Sequence, residues 1–127
     1  MNYSFTTKFN GSFEDAIERT TSALAKEKFG VLTQINLQET FKKKLGKDIE
    51  KYVILGACNP PSAYEAIENE IEIGLLLPCN VIIYEKKSEI FVSAIKPSSM
   101  IKGLQLQNIE PVMLRVEESF QRVIESL

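Results

Sequence analysis

A hairpin near the middle of the chain limits what it can become. Val81-Ile82-Ile83-Tyr84 is an apolar run of strand length, Lys86-Lys87-Ser88 turns the chain, and Glu89 to Ile95 returns as a second strand. Strands joined by so short a link pair antiparallel, because a parallel neighbour needs a crossover of about a dozen residues or more. A doubly wound parallel sheet is thereby excluded, and no Gly-rich phosphate loop follows any strand.

The remaining segments fill out an α+β order. Tyr3, Phe5, Thr7 and Phe9 alternate with Ser4, Thr6 and Lys8, which predicts a half-buried strand. After Asn10-Gly11, Ser12 has the chemistry of a helix N-cap, with Asp15 as its N3 partner. Phe13, Ala16, Ile17, Thr20 and Leu24 then recur at helical spacing, and Phe29-Gly30 stops the helix near Lys28. A strand follows over Val31 to Ile35, then a short helix capped by Asn36, carrying Leu37, Phe41 and Leu45 and ending at Gly46. Tyr52 to Ala57 is apolar throughout and reads as a central strand. Asn59-Pro60 supplies an N-cap and a proline at N1 for a third helix with Ala63, Ile67 and Ile71 as its stripe and Gly74 as its C-cap. A fourth strand is expected within Leu75 to Glu85, starting after Pro78 or bulged there, because proline lacks a donor. Residues 97–108 are irregular, and Asn108 caps a last helix with Val112, Val116, Phe120, Val123 and Ile124 inward.

The predicted order is β-α-β-(α)-β-α-β-β-α. It implies one antiparallel-leaning sheet with two to three main helices on one face, in a single domain spanning residues 1–127. Ile17, Leu24, Phe41, Ile54, Ile67, Ile82, Val92, Val116 and Phe120 are expected in the core.

Composition removes several chemistries. The chain has no histidine, so Ser-His-Asp and Cys-His nucleophilic pairs and every histidine-ligated metal centre are absent. The net charge of −2 argues against a nucleic-acid binder, and Lys42-Lys43-Lys44 reads as a solvated helix end. No run reaches the ~18 apolar residues of a membrane span. The opening Met1-Asn2-Tyr3-Ser4-Phe5 lacks the charged and apolar regions of a signal peptide, so the two cysteines are expected as reduced thiols in the cytoplasm.

Those cysteines occur in similar settings. Gly56-Ala57-Cys58-Asn59-Pro60-Pro61 and Leu77-Pro78-Cys79-Asn80 each place a Cys-Asn pair beside proline at a strand–loop junction. Cys58 precedes a helix N-terminus, where free N–H groups and the helix dipole favour a thiolate. It is the candidate nucleophile, with Cys79 as a resolving or co-ligand thiol. The alternative is that both are small buried hydrophobes, the usual fate of a free cysteine. The spacing requests no metal ion.

Phe29-Gly30-Val31-Leu32, Phe41-Lys42-Lys43-Lys44-Leu45-Gly46 and the run from Tyr52 to Tyr64 through Gly56-Ala57-Cys58-Asn59-Pro60-Pro61 resemble domain-of-unknown-function family 302. So do Gly74-Leu75-Leu76-Leu77-Pro78-Cys79-Asn80-Val81 and Ser93-Ala94-Ile95-Lys96-Pro97, giving a core of resemblance over about residues 29–97. The resemblance implies a fold similar to the TATA-box-binding-protein-like α+β class and self-association as a homodimer. It brings no activity or cofactor. The expected function is a dimeric module that binds a small ligand or partner at a groove formed by Cys58, Asn59, Pro60, Pro78, Cys79 and Asn80. Two alternatives stand beside it: a thiol-dependent enzyme or soft-metal or sulfur carrier, and a structural protein with both cysteines buried.

Overall fold

The computed structural model describes residues 3–106 and 108–127. Met1 and Asn2 of the opening segment, and Gln107 of the irregular stretch, lie outside the described residues. Five strands, β1 (Ser4–Phe9), β2 (Gly30–Asn36), β3 (Tyr52–Cys58), β4 (Cys79–Lys86) and β5 (Glu89–Ile95), form one sheet in the order β1-β5-β4-β3-β2. Every pairing is antiparallel. The helices are α1 (Phe13–Lys26), α2 (Leu37–Leu45), α3 (Pro60–Asn69), α4 (Pro97–Ile101) and α5 (Glu110–Glu125). The α+β class and the antiparallel sheet are as the sequence predicts.

Local chemistry sets the helix starts. Ser12 accepts a hydrogen bond from the Asp15 amide at 3.0 Å, Asn36 from Glu39 at 3.1 Å and Asn59 from Ser62 at 3.0 Å. Each satisfies a donor that the helix itself leaves unpaired. Gly46 closes α2 in the left-handed region at φ 65°. Helix α5 differs from expectation. It starts at Glu110 without a side-chain cap, and Asn108 instead donates to the Asn69 carbonyl at 2.8 Å, tying the end of α3 to the start of α5.

Before β4 the first of the two expected arrangements holds, a strand that starts after Pro78, with a 3-10 turn ahead of it. Residues Ile71–Leu76 form a 3-10 helix, and the strand begins only at Cys79. Helix α3 ends at Asn69, so Gly74 lies inside the 3-10 turn and does not cap α3. The Glu70 carboxylate accepts the Glu72 amide at 3.3 Å and holds that turn. Pro78, without an N–H, sits where the ladder has not yet begun.

The core fills one side of the sheet. Val53, Leu55 and Ala57 of β3, Val81 and Ile83 of β4, and Val92 and Ala94 of β5 pack against Ala16 and Leu24 of α1 and against Val116, Phe120 and Val123 of α5. Alternation puts Ile54 and Ile82 on the other side, where both are only half-buried. Ile17 and Phe41 are half-buried, and Ile67 is exposed. In α3 the buried residue is Ala66, whose small side chain joins Val112 and Met113 of α5 and Ile73 of the 3-10 helix in a second apolar cluster. Leu24, Val92, Val116 and Phe120 are buried as predicted.

Candidate functional site

The register brings the two cysteine segments to one end of the central strands. Cys58 ends β3 opposite Gly30, and Cys79 starts β4 opposite Ala57. The thiols are therefore offset by one residue on adjoining strands. Alternation points Cys79, like Val81 and Ile83, toward the helices, and Cys58, the last residue of β3, sits where the chain turns into α3. Both residues border a small apolar cavity of about 30 Å³ whose wall includes Phe29, Ala66 and Met113. That volume holds about one water molecule, so it is not a metabolite pocket.

The electrostatics also run against an activated thiol. Helix α3 opens with Pro60 and Pro61, which have no N–H to offer. The first free amide, Ser62, is taken by Asn59, and Ala63 donates to the Asn59 carbonyl at 2.9 Å. The thiolate-stabilising donors expected beside Cys58 are thus absent or occupied, and burial raises the Cys58 thiol above its ordinary value. Asn59 is occupied as a cap; its amide also reaches the Lys28 carbonyl at 3.3 Å.

Cys79 is almost wholly buried, and its thiol is pushed up to about 11, first by burial and second by the neighbouring Cys58. An acid raised in the folded state stabilises the fold fully below its unfolded pKa, about 8.5 for a thiol, and loses that contribution as pH rises through the folded value. Urea unfolding of the wild type and Cys79→Ala at matched pH is expected to show this. The wild type's advantage should shrink by about 2–3 kcal/mol between pH 8 and 11. Parallel pH profiles would refute the burial of this thiol as described.

A larger groove lies on the other side of the same segment. Leu75, Leu76, Leu77, Pro78, Asn80, Ile95 and Met100 enclose about 300 Å³ between the 3-10 helix and α4. Leu75 is 82% exposed at its rim. Helix α4 is held in place by Glu117 of α5, which accepts from both the Ser98 amide at 3.1 Å and the Ser98 hydroxyl at 2.5 Å. Of the residues proposed from sequence, Pro78 and Asn80 line this groove; Cys58, Asn59 and Cys79 border the small cavity instead, and Pro60 lines neither. Pro78 stands between the two spaces. Met100 lies in the apolar segment Pro97 to Leu106 that the sequence offers as cover for a groove; sequence reading missed Leu75 and Leu76 as groove walls, although the apolar run Leu75-Leu76-Leu77 before a proline was the available signal. Among the described residues no group of three or more His, Cys, Asp or Glu is placed to hold a metal ion. No described helix is long and apolar enough to cross a membrane.

A further close approach shapes the same end of the sheet. Gly56 faces Thr33 and the Pro78 ring, and a β-carbon built there would lie 2.7 Å from Pro78 Cγ and closer still to Thr33 Oγ1. Only glycine fits between them.

Residues 3–127 match the family model described as "Domain of unknown function DUF302". The fold is similar to the crystal structure of an uncharacterised conserved DUF302 protein from Bacillus stearothermophilus, with a TM-score of 0.91, 24% sequence identity, and 98% of each chain covered. No curated protein matches the sequence.

Proposed function

The chain belongs to the family of domain of unknown function DUF302, and from that premise we propose that it is a non-catalytic binding module, working as a homodimer in a reducing compartment. Its ligand or partner segment enters the groove along Pro78 and Asn80. The observation that carries this reading is the groove itself: about 300 Å³ of space, walled by Leu75, Leu76, Leu77, Ile95 and Met100, with Asn80 as the one polar side chain among the described residues that line it. Apolar walls with a single orienting polar group are the ordinary make-up of a small-ligand site, and the volume is at the lower end of such sites. Both thiols are raised, first by burial, which weighs against nucleophilic use of Cys58.

Titration with 8-anilinonaphthalene-1-sulfonate, an apolar fluorescent probe, tests the groove. Saturable binding of one probe per chain is expected, and Met100→Lys or Leu75→Lys should weaken it about tenfold, the equivalent of roughly 1.4 kcal/mol. Binding that never saturates, or that is unchanged in both variants, would sink the proposal.

A further inference from the structure

The side of the sheet away from α1, α3 and α5 is not built like a solvated surface. Its middle row runs through all five strands as Ile35, Ile54, Ile82, Ser93 and Thr6, each the register partner of the next. The adjoining row is Tyr52, Tyr84 and Phe91, whose rings stack in series with centroids 5.9 and 5.4 Å apart. An antiparallel sheet that leaves one face to water alternates apolar-in with polar-out; here isoleucines and aromatic rings occupy the outward positions. Among the outward positions of the strands the charged side chains Lys8, Lys86 and Glu89 collect at one end, where Lys8 pairs with Glu89; Glu39, Lys43 and Lys44 of α2 stand beside Ile35 at the β2 edge. The two hydroxyls of the middle row satisfy each other, Thr6 Oγ1 lying 2.7 Å from Ser93 Oγ. A polar pair already closed on itself enters a dry contact at little cost.

Size decides what fits such a surface. Five strands about 4.8 Å apart, each presenting about six residues at roughly 3.4 Å, make a footprint of about 24 by 20 Å. Two such faces in full contact bury about 960 Å², at the threshold of about 1,000 Å² for a specific protein interface. A small ligand would cover only part of it: the concavity between Tyr3, Tyr52, Tyr84 and the Thr6–Ser93 pair has a volume of about 500 Å³.

We infer that a second copy of this chain covers the outward face of the five-stranded sheet, through a two-fold seam centred on Ile54, Ile82 and Tyr84. This rests on the dimeric reading above and adds the surface that performs it. Two-fold symmetry places the same patch on both partners, and stacked sheets sit about 10 Å apart with their side chains interleaved. The partner's side chains fill the concavity beside Tyr3. The groove at Pro78 and Asn80 borders the seam: Asn80 and Ile95 lie on the same face one row beyond Ile82 and Ser93, while Leu75 stands off the sheet on the 3-10 helix.

Light scattering after size exclusion, at about 100 µM chain, tests the seam. The wild type is expected as a dimer. Ile82→Lys and Tyr84→Lys bring like charges together across the two-fold and should raise the dissociation constant about a hundredfold or more, giving folded monomers by circular dichroism. Leu75→Lys, at the groove, should remain a dimer. A wild-type dimer that survives both seam substitutions, or is broken by Leu75→Lys, overturns the seam but leaves the dimer standing. A monomeric wild type overturns both. Should the seam variants fail to fold, tyrosine emission decides. The chain has no tryptophan, and three of its four tyrosines, Tyr3, Tyr52 and Tyr84, lie on this face. Acrylamide quenching of the wild type should increase as the protein is diluted through dissociation; a dimer that dissociates with unchanged quenching contradicts the seam.

Discussion

Phe120→Ala is expected to destabilise the fold by about 3–5 kcal/mol. Phe120 is fully buried on α5, and its ring lies 5.0 Å from that of Phe29 at an interplanar angle of 42°. Phe29 stands between α1 and β2, so this one contact joins the last helix to the first helix–strand connection. Truncation removes apolar area, leaves a cavity that surrounding strands cannot close, and deletes an aromatic pair worth about 0.5–1.5 kcal/mol beyond its area. Thermal unfolding should show the midpoint lowered by roughly 10–20 °C. Ile67→Ala, at an exposed position of α3, provides the contrast and should cost far less. A loss below about 1 kcal/mol for Phe120→Ala would mean that α5 is not packed as described.

Gly56→Ala is the second large effect, and it works by crowding. The backbone at Gly56 is not in the left-handed region, so the requirement for glycine is steric, not conformational. The new methyl group meets the Thr33 hydroxyl, which can rotate, and the Pro78 ring, which is tied into the backbone and cannot. Overpacking of this kind costs about 1–3 kcal/mol. Because Pro78 also lines the groove, the same change should weaken probe binding while the protein remains folded. Removing the hydroxyl as well, in Gly56→Ala with Thr33→Ala, should recover only part of the stability, since the ring remains. Full recovery would place the whole clash on Thr33 and free Pro78 of its supposed rigidity.

The features that sequence disclosed were local ones. Ser12, Asn36 and Asn59 each cap the helix they precede, because a cap depends on residues within one turn. The hairpin of β4 and β5 was equally visible, as its turn and both strands are contiguous. Assignments that depended on which surface is covered came out differently. Ile54 and Ile82 have the composition of core residues, yet period two states only that they share a face, not that helices lie on it. On β3 the residues on both sides are apolar, so alternation could not choose. The Ile67 stripe failed because Ala66, not the larger residue, lets α3 approach Val112 and Met113. Cys58 before a helix start carried the pattern of an activated thiol. What cancels it is the pair of prolines that supply no N–H and the Asn59 cap that occupies the next donor. The groove needed the 3-10 turn and α4 to be brought together over some twenty residues of sequence, a juxtaposition that no local pattern encodes.

The most direct test of the module reading is native mass spectrometry of freshly purified wild-type protein, with and without the naphthalene sulfonate probe. A species at twice the chain mass, taking up one probe per chain, is the predicted result. A single-chain species that takes up none, at every concentration sampled, would contradict it.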